Sequence, residues 1–204
     1  MAEVEKKQEK TISLKPLDVS DSQKVFNLFK TDRHILQEWT DDNFQSITEK
    51  EFTEFITQEI KSFEMHNDFL YTVCNSRSLL GIAGFYFSSK FHNKTEIVIW
   101  LSFKERTDIN YSAIIKELLE IGFTKKDYHR IGIRVWSGDL ILSSVLRKSG
   151  FKIEGTERNG YLNLSNTYSD ITLLGLLQKE YIDQQSFFLR ADKLFKRSVK
   201  TKKK

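Results

Sequence analysis

Apolar and polar residues alternate along this chain with two different periods, which separate predicted helices from predicted strands. The segment from Thr11 to Leu17 alternates at every second position and predicts a first strand. Two helices are predicted after it, one starting at a capping box of Ser20 and Gln23 and one at a capping box of Thr48 and Glu51. The second helix has its apolar residues on one face: Phe52, Phe55, Ile56, Ile60 and Phe63. Between the helices, "HILQEWTDDNF" predicts a loop or a broken helix that carries Trp39.

The remainder of the pattern predicts a sheet whose strands are joined by turns and helices. Strands are predicted over "DFLYTVC", "LLGIAGFYFSS", "TEIVIWLSF" and "RIGIRVW", and helices over 110–126 and 140–149. The segments "FKIEGTERNGYLN" and "SDITLLGLL" predict a closing antiparallel pair. This order is typical of a single α/β domain with a mixed central sheet flanked by helices on both faces. We expect the strands that contain Ile99 and Ile133 to lie side by side and parallel, because a helix joins them.

Length and composition favour one domain with short terminal extensions. The 204 residues are 39% apolar and include 16 Phe, enough for one substantial core. We expect a flexible leader over 1–10, a globular domain over 11–181 and a C-terminal segment over 182–204. No apolar run approaches the roughly 20 residues of a membrane span, and the charged N-terminus lacks the apolar stretch of a signal peptide. A cytoplasmic protein is therefore expected.

Charge is distributed unevenly along the chain. The formal net charge is +4, but residues 190–204 carry eight Lys or Arg and one Asp. Residues 1–189 hold 24 basic and 27 acidic residues, a balance of −3, which argues against a broad nucleic-acid-binding face on the domain. The single cysteine excludes an internal disulfide, and the four scattered histidines do not predict a metal site.

The C-terminal segment "FFLRADKLFKRSVKTKKK" mixes apolar and basic residues as an amphipathic helix does. One interpretation is a helix docked on the domain, with its lysine-rich end in solvent. The other is an electrostatic anchor for a polyanion such as nucleic acid, the ribosome or anionic lipid. Both interpretations stay open at the level of sequence.

Four segments at their spacings, "LLGIAGFYF", "TEIVIWLS", "LLEIGF" and "VLRKSGFKIEG", resemble the GNAT N-acetyltransferases. The resemblance extends from Leu14 to Tyr181 and is closest to the group that acetylates ribosomal-protein N-termini. It implies acetyl-CoA as the co-substrate and an amine as the acceptor, either a protein N-terminus or a small molecule. In its most specific piece, "RKSGFKIEG", Gly150 would end a helix in the left-handed conformation and Phe151 would enter the core.

The resemblance also assigns roles along one strand. "TEIVIWLS" is similar to the family's strand whose backbone pairs with the pantetheine arm of acetyl-CoA, so Trp100, Leu101 and Ser102 are the implied cofactor-binding positions. The Trp100 side chain could equally belong to the core. Glu96 matches a family glutamate that accepts the proton of the attacking amine, and the alternative is an ordinary exposed glutamate at the start of a strand.

The segment after this strand departs from the family pattern of an arginine followed by a glycine-rich loop. Arg106 matches the family arginine and is the fourth implied cofactor-binding residue. Thr107 and Ile109 occupy the two glycine places and Asp108 lies between them. Branched side chains hinder close approach and the carboxylate repels an anion, so weakened pyrophosphate binding is predicted. A helix capped by Thr107 or Asn110 would still offer the amides of 109–112 to a phosphate.

A second departure concerns the proton donor to the leaving thiolate. Asp139 replaces a family asparagine and Leu142 replaces a serine that can act as the acid, so the general acid is unassigned. The leading hypothesis is acetyl-CoA-dependent N-acetylation by direct attack in a ternary complex, with the oxyanion near the amides of 101 and 102. The competing hypothesis is a non-catalytic binding module with this fold that has impaired or lost acetyl-CoA binding. The sequence identifies neither the acceptor nor the oligomeric state.

Overall fold

The computed structural model describes residues 12–31, 47–163 and 166–187. Its seven strands form one mixed sheet with the order β1-β2-β3-β4-β5-β7-β6. The strands are β1 (Ser13–Pro16), β2 (Phe69–Cys74), β3 (Leu79–Ser89), β4 (Lys94–Leu101), β5 (Arg130–Trp136), β6 (Lys152–Leu162) and β7 (Tyr168–Leu177). The predicted first strand is confirmed as β1, although it is shorter than expected.

Helices flank this sheet, as the sequence predicts. They are α1 (Ser22–Thr31), α2 (Glu49–His66), α3 (Asp108–Leu119), α4 (Leu140–Lys148) and α5, which covers residues 178–187. Helix α3 continues as a π-helical turn over Glu120–Lys125, and short 3₁₀ turns over Val19–Asp21 and Phe103–Glu105 precede α1 and α3. The α/β class with a mixed central sheet is confirmed.

Strand pairing agrees with the predicted topology. Strands β4 and β5 are parallel neighbours, with a register that covers three pairs from Lys94↔Arg130 to Glu96↔Gly132. These are the strands that contain Ile99 and Ile133, so their predicted adjacency is confirmed. Strand β7 pairs antiparallel with both β5 and β6, which confirms the predicted closing pair.

The described residues group into two compact units, and the first combines Met1–Phe87 with Val98–Glu117. Its core lies where α1 and α2 pack on β2, β3 and the end of β4, and consists of Leu17, Val25, Phe29, Phe52, Ile56, Phe63, Leu70, Ile82 and Trp100. Phe52 is fully buried, with aromatic rings of Phe26, Phe29 and Phe55 around it. The predicted apolar face of the second helix is therefore the face that the core buries.

The start of α2 confirms one of the two predicted capping boxes. The Glu51 amide donates to Thr48 Oγ1 at 3.3 Å, and the Thr48 amide donates to Glu51 Oε2 at 2.8 Å. The backbone amide and the hydroxyl of Thr48 both favour the ionised carboxylate and lower the pKa of Glu51. Reciprocal capping of this kind satisfies two amides that the helix itself cannot bond.

The capping box predicted at Ser20 and Gln23 is wrong. The chain turns earlier, at Asp18, whose Oδ1 accepts from the Ser20 amide at 2.9 Å at the start of the 3₁₀ turn. Ser22 then begins α1, and its hydroxyl donates to the Val19 carbonyl at 2.5 Å. An aspartate two residues upstream binds the amide as well as a serine does, so the local pattern alone did not distinguish the two starts.

The second unit combines Ser88–Ile97 with Leu118–Lys204, and its helix α4 ends as the sequence predicts. Gly150 has φ of +99° and Phe151 is buried. The Phe151 amide donates to the Leu146 carbonyl at 3.1 Å, and the Gly150 amide donates to the Arg147 carbonyl at 3.1 Å. This is the left-handed helix ending that glycine permits and that places the following residue in the core.

Helix α5 is attached to the π-helical turn of the same unit. The Tyr181 ring stacks on Phe123 with centroids 5.1 Å apart, and its hydroxyl donates to Glu120 Oε2 at 3.3 Å. Gln178 Nε2 donates to the Phe123 carbonyl at 3.1 Å and to Asp127 Oδ1 at 2.7 Å. Burial, followed by the charge of Glu120, raises the pKa of Tyr181, so the phenol stays protonated as a donor.

A prediction follows for the C-terminal segment over 182–204, of which residues 188–204 lie outside the described residues. If the segment is a polyanion anchor and not a docked helix, deleting residues 190–204 should leave the melting temperature nearly unchanged. The deletion should remove salt-sensitive binding to a polyanion such as heparin, since it removes eight basic residues. Tyr181→Ala should instead lower the free energy of unfolding by about 1–3 kcal/mol. A fall of several degrees on deletion alone would instead place tail residues in the core.

Two further expectations concern the segment with Trp39 and the presence of a membrane-spanning helix. The segment with Trp39 lies within 32–46, outside the described residues. Within the described residues, no helix combines the length and the apolar character needed to cross a bilayer.

Candidate active site

The pairing of β4 with β5 covers Lys94–Glu96, and beyond it the end of β4 presents backbone groups on the side away from β3. The Ser102 amide donates to the Leu80 carbonyl of β3 at 3.0 Å. On the preceding peptide, the Trp100 carbonyl oxygen lies so close to Gly81 of β3 that a Cβ there would overlap it. The C=O and N–H of a trans peptide point in opposite directions, so the Leu101 amide and the Leu101 carbonyl both face away from β3.

This geometry distinguishes the three residues that the sequence implicates as one group. The sequence predicted an oxyanion near the amides of 101 and 102. The Ser102 amide already donates to Leu80, so it is not available to an oxyanion. The Trp100 indole belongs to the core of the first unit and is only 8% exposed, which favours the core interpretation of its side chain. Leu101 alone among the three turns both backbone groups outward. Cofactor binding by these residues stays a prediction.

Arg106 lies next to these groups, after the 3₁₀ turn. Its Nε donates to the outward-facing Leu101 carbonyl at 3.1 Å, and its side chain is half-buried. The turn that carries it is bonded at both ends: the Glu105 amide donates to the Ser102 carbonyl at 2.8 Å, and the Thr107 amide donates to the Glu105 carbonyl at 2.8 Å. The arginine is thereby held against the last residue of the strand.

The first turn of α3 keeps few of its amides for an external anion. The Asn110 amide donates to Thr107 Oγ1 at 3.2 Å, and the Tyr111 amide donates to the Thr107 carbonyl at 3.0 Å. Of the two predicted capping residues, Thr107 is therefore the cap, and the expectation that the amides of 109–112 remain open is wrong for 110 and 111. The side chains of Asp108 and Ile109 are exposed at this helix end.

The Asn110 side chain fixes this helix start to the preceding turn. Its Nδ2 donates to the Glu105 carbonyl at 2.9 Å and to Glu105 Oε2 at 3.1 Å, and the residue is 95% buried. The sequence suggested Asn110 only as an alternative cap. Its observed role is to connect α3 to the turn that carries Arg106.

Glu96 lies in the second unit, at the last residue pair of the parallel register. It is half-buried and opposite Gly132, and a Cβ on Gly132 would lie 3.3 Å from Glu96 Cγ. The residue before it, Thr95, belongs to a group of hydroxyls that the sequence analysis missed. Ser88 Oγ lies 2.8 Å from Thr95 Oγ1 and 3.2 Å from the Tyr128 hydroxyl. These bonds hold β4 at the position where the carboxylate emerges.

The start of α4 explains both departures at Asp139 and Leu142. Asp139 Oδ1 accepts from the Leu142 amide at 2.9 Å and caps the helix. The Leu142 side chain is buried, while Ser143 is half-buried and Ser144 is exposed. Leu142 itself offers no hydroxyl, so the general acid is unassigned among the residues that the structure describes.

Comparison with known proteins agrees with this architecture. Residues 11–152 match the family model described as an acetyltransferase (GNAT) domain. Comparison with curated proteins by sequence finds no match.

Solved structures with the same fold include polyamine acetyltransferases. Mutant forms of the spermidine/spermine N-acetyltransferase SpeG from Vibrio cholerae align with a TM-score of 0.70 at 18% identity, covering 86% of this chain and 98% of that one. The spermidine N-acetyltransferase from Vibrio cholerae in complex with CoA and spermine aligns with a TM-score of 0.68 at 19% identity, covering 84% and 98%. A probable acetyltransferase aligns with a TM-score of 0.72 at 20% identity, covering 84% and 95%.

At these identities the structural likeness shows the fold, and the narrower resemblance to ribosomal-protein acetyltransferases stays a prediction. The family match rests on sequence and spans well over half of the chain. The protein therefore belongs to the acetyltransferase (GNAT) domain family.

Proposed function

We propose that this protein transfers the acetyl group of acetyl-CoA to an amine. The observation that carries the proposal is the end of β4, where Leu101 turns its backbone away from β3. Peptide groups alternate in direction along a strand, so Ile99 presents its backbone on the same side. The pantetheine arm contains two amides, and it would bind here as an added strand does, with Leu101 donating to one of its carbonyls.

Strand geometry supports an oxyanion donor other than the amides of 101 and 102 that the sequence analysis proposed. A strand rises about 3.3 Å per residue, so Leu101 lies roughly 16 Å beyond Glu96 and Ile99 roughly 10 Å. A carbonyl held at Leu101 would be too far from a base at Glu96. The Ile99 amide is therefore the proposed donor to the thioester oxygen, and Leu101 is the proposed donor to the pantetheine arm.

The proposed reaction is a direct attack in a ternary complex. Glu96 accepts a proton from the acceptor ammonium, directly or through one water, and leaves the neutral amine that attack requires. The amine nitrogen forms a bond to the acetyl carbon, and the negative charge that develops on the oxygen is stabilised by the Ile99 amide. The carbon–sulfur bond then breaks and the nitrogen releases its second proton to water, which leaves the neutral amide. The thiolate takes up a proton from a donor that is unassigned.

Small alkyl amines are the acceptors to test first. Two of the three solved structures named above are described as spermidine or spermidine/spermine acetyltransferases, and one of these is a complex with CoA and spermine. A protein N-terminus carries the same nucleophile and is the second acceptor class. The non-catalytic alternative rests on the residues at 107–109, 139 and 142 alone, and family membership does not favour it.

Calorimetric titration with acetyl-CoA, followed by an acetyl-transfer assay, tests the proposal. The assay would compare spermidine with a peptide that has a free N-terminus. We expect weak but saturable acetyl-CoA binding and transfer to at least one acceptor. A folded protein that binds no acetyl-CoA and acetylates neither acceptor would overturn the proposal and return the non-catalytic module as the better account.

The proposed weakness of the pyrophosphate site gives a gain-of-function prediction. Replacing Thr107 and Ile109 with Gly and Asp108 with Lys should tighten acetyl-CoA binding by about tenfold to a hundredfold. In the unaltered chain the Asn110 amide donates to the Thr107 hydroxyl at 3.2 Å, so removing that hydroxyl releases the amide. Each charged hydrogen bond gained contributes about 1.5–3 kcal/mol to binding. Glycine at a helix N-cap lowers stability by only about a few tenths of a kcal/mol. The reversal of charge at position 108 removes repulsion.

Calorimetry on the triple variant and on Asp108→Asn alone would separate sterics from charge. Tight acetyl-CoA binding by the unaltered chain would show that the segment works without its glycines. If neither form binds, the defect lies beyond this segment.

A further inference from the structure

Strand β4 ends at Leu101, and a side chain of the same unit occupies the outward carbonyl of that residue. Arg106 Nε donates to that oxygen at 3.1 Å. The amide on the other side of the same peptide, at Ser102, donates to Leu80 at 3.0 Å. The peptide between Leu101 and Ser102 is therefore held from both sides, by the neighbouring strand and by the arginine.

This arrangement leaves Leu101 with different roles for its two backbone groups. Its carbonyl is occupied by Arg106, whereas its amide belongs to the preceding peptide and faces away from β3. A strand-like ligand can therefore accept a hydrogen bond from the Leu101 amide. To donate to the Leu101 carbonyl, it would have to compete with Arg106. Occupation of the Leu101 carbonyl excludes the registers in which an added strand would donate a hydrogen bond to it, and so restricts the registers that remain.

The arginine is itself held in place by the segment that leads into α3. The Arg106 amide donates to the Phe103 carbonyl at 3.3 Å, and Asn110 binds Glu105 through its buried side-chain amide. A guanidinium also has its Nε donor in a fixed plane, so it can bond a backbone carbonyl in a defined direction, which the freely rotating ammonium of lysine cannot. The contact is thus a built feature of the turn.

We propose that Arg106 is a positioning residue that closes the outer edge of β4 at Leu101 and sets the register in which the pantetheine arm adds to the strand. This inference rests on the proposed function and departs from the role that the family resemblance implies, in which Arg106 contributes to the cofactor phosphate site. The two roles differ in which part of the cofactor each one serves. That difference makes them separable.

Two acetyl donors separate the roles: acetyl-CoA and S-acetylpantetheine, which lacks the phosphates and the adenosine. For Arg106→Ala we expect kcat/KM to fall by the same factor for both donors, about tenfold to a hundredfold. Arg106→Lys should resemble the alanine variant, because lysine keeps the charge but loses the planar Nε donor. Arg158→Ala, at an exposed arginine of β6, is the matched control and should change neither value.

A loss confined to acetyl-CoA, with rescue by lysine, would show that Arg106 acts on the phosphates and would overturn the proposal. Unchanged kcat/KM for both donors in Arg106→Ala would also overturn it.

Amide hydrogen exchange without any ligand tests the contact independently of catalysis. Arg106→Ala should speed exchange at the Ser102 amide, which shares a peptide with the Leu101 carbonyl and donates to Leu80, by about tenfold or more and leave β2 unchanged. Equal exchange in the variant and the unaltered chain would contradict the positioning role, even in a protein that transfers no acetyl group. Faster exchange together with an absence of acetyl transfer would instead leave the positioning role intact and count against the proposed function.

Discussion

Gly81→Ala is expected to destabilise the fold and abolish measurable acetyl-CoA binding. A Cβ at this position would overlap the Trp100 carbonyl oxygen and lie 2.9 Å from Leu101 Cα, both of which are backbone atoms. Backbone cannot move aside as a flexible side chain does, so the end of β4 would have to shift. Overpacking of this kind costs about 1–3 kcal/mol or more, measurable as a lower midpoint in urea. The same shift would displace the outward amide of Leu101.

Gly84→Ala is the matched steric control, because a Cβ there would overlap the Phe69 carbonyl of β2 and lie 3.0 Å from Leu70 Cα. It should destabilise to a similar degree without disturbing β4, so its folded fraction should bind acetyl-CoA normally. Gly155→Ala has only an ordinary contact, 3.9 Å from Leu173 Cδ1, and should be neutral in both measurements. Equal loss of binding in the Gly81 and Gly84 variants would mean that the effect is global and that the end of β4 has no special role.

These glycines illustrate where sequence reasoning succeeded and where it could not reach. The apolar pattern of "LLGIAGFYFSS" predicted β3 correctly, because a buried strand is visible as a continuous apolar run. The apolar pattern does not show which residues of the neighbouring strands each position contacts. That Gly81 faces the β4 backbone depends on strand order and register, which are set by contacts distant in sequence.

The same limit applies to the backbone of β4. The apolar run correctly predicted the strand, but the family resemblance treated Trp100, Leu101 and Ser102 as equivalent. Their roles differ because successive peptide groups point in opposite directions. Which of these groups face β3 became known only from the Ser102–Leu80 hydrogen bond. Side-chain identity carries no signal for this phase.

Helix starts were predictable only where the pattern had one solution. Thr48 and Glu51 form a reciprocal box, and the structure contains it. Before the first helix, Asp18 and Ser20 were both adequate caps, and the aspartate caps the 3₁₀ turn that leads into the helix. At α3, the sequence named Thr107 and Asn110 as alternatives, and the competing partner that decided between them, Glu105, is a hydrogen-bond acceptor that capping rules do not consider.

The carboxylate of Glu96 gives the prediction with the largest expected effect on catalysis. Glu96→Gln should lower kcat/KM for acetyl transfer by about 10²- to 10⁴-fold, the usual contribution of a general base. An alkyl amine has a pKa of about 10.4 and is almost fully protonated at neutral pH, so attack requires removal of a proton first. Glutamine has the same shape and cannot accept that proton. Acetyl-CoA affinity should be unchanged, since the cofactor contacts proposed above are backbone groups further along β4.

The pH dependence of the variant distinguishes a lost base from a damaged site. In Glu96→Gln the rate should rise about tenfold per pH unit up to the pKa of the acceptor, because only the fraction of amine already neutral in solution can react. An acceptor amine of much lower pKa should show a far smaller loss, since it needs no base. Glu117→Gln, at an exposed glutamate of α3, should match the unaltered protein throughout. A Glu96→Gln variant that works within threefold of normal at neutral pH would exclude Glu96 as the base and assign proton removal to water or to another residue.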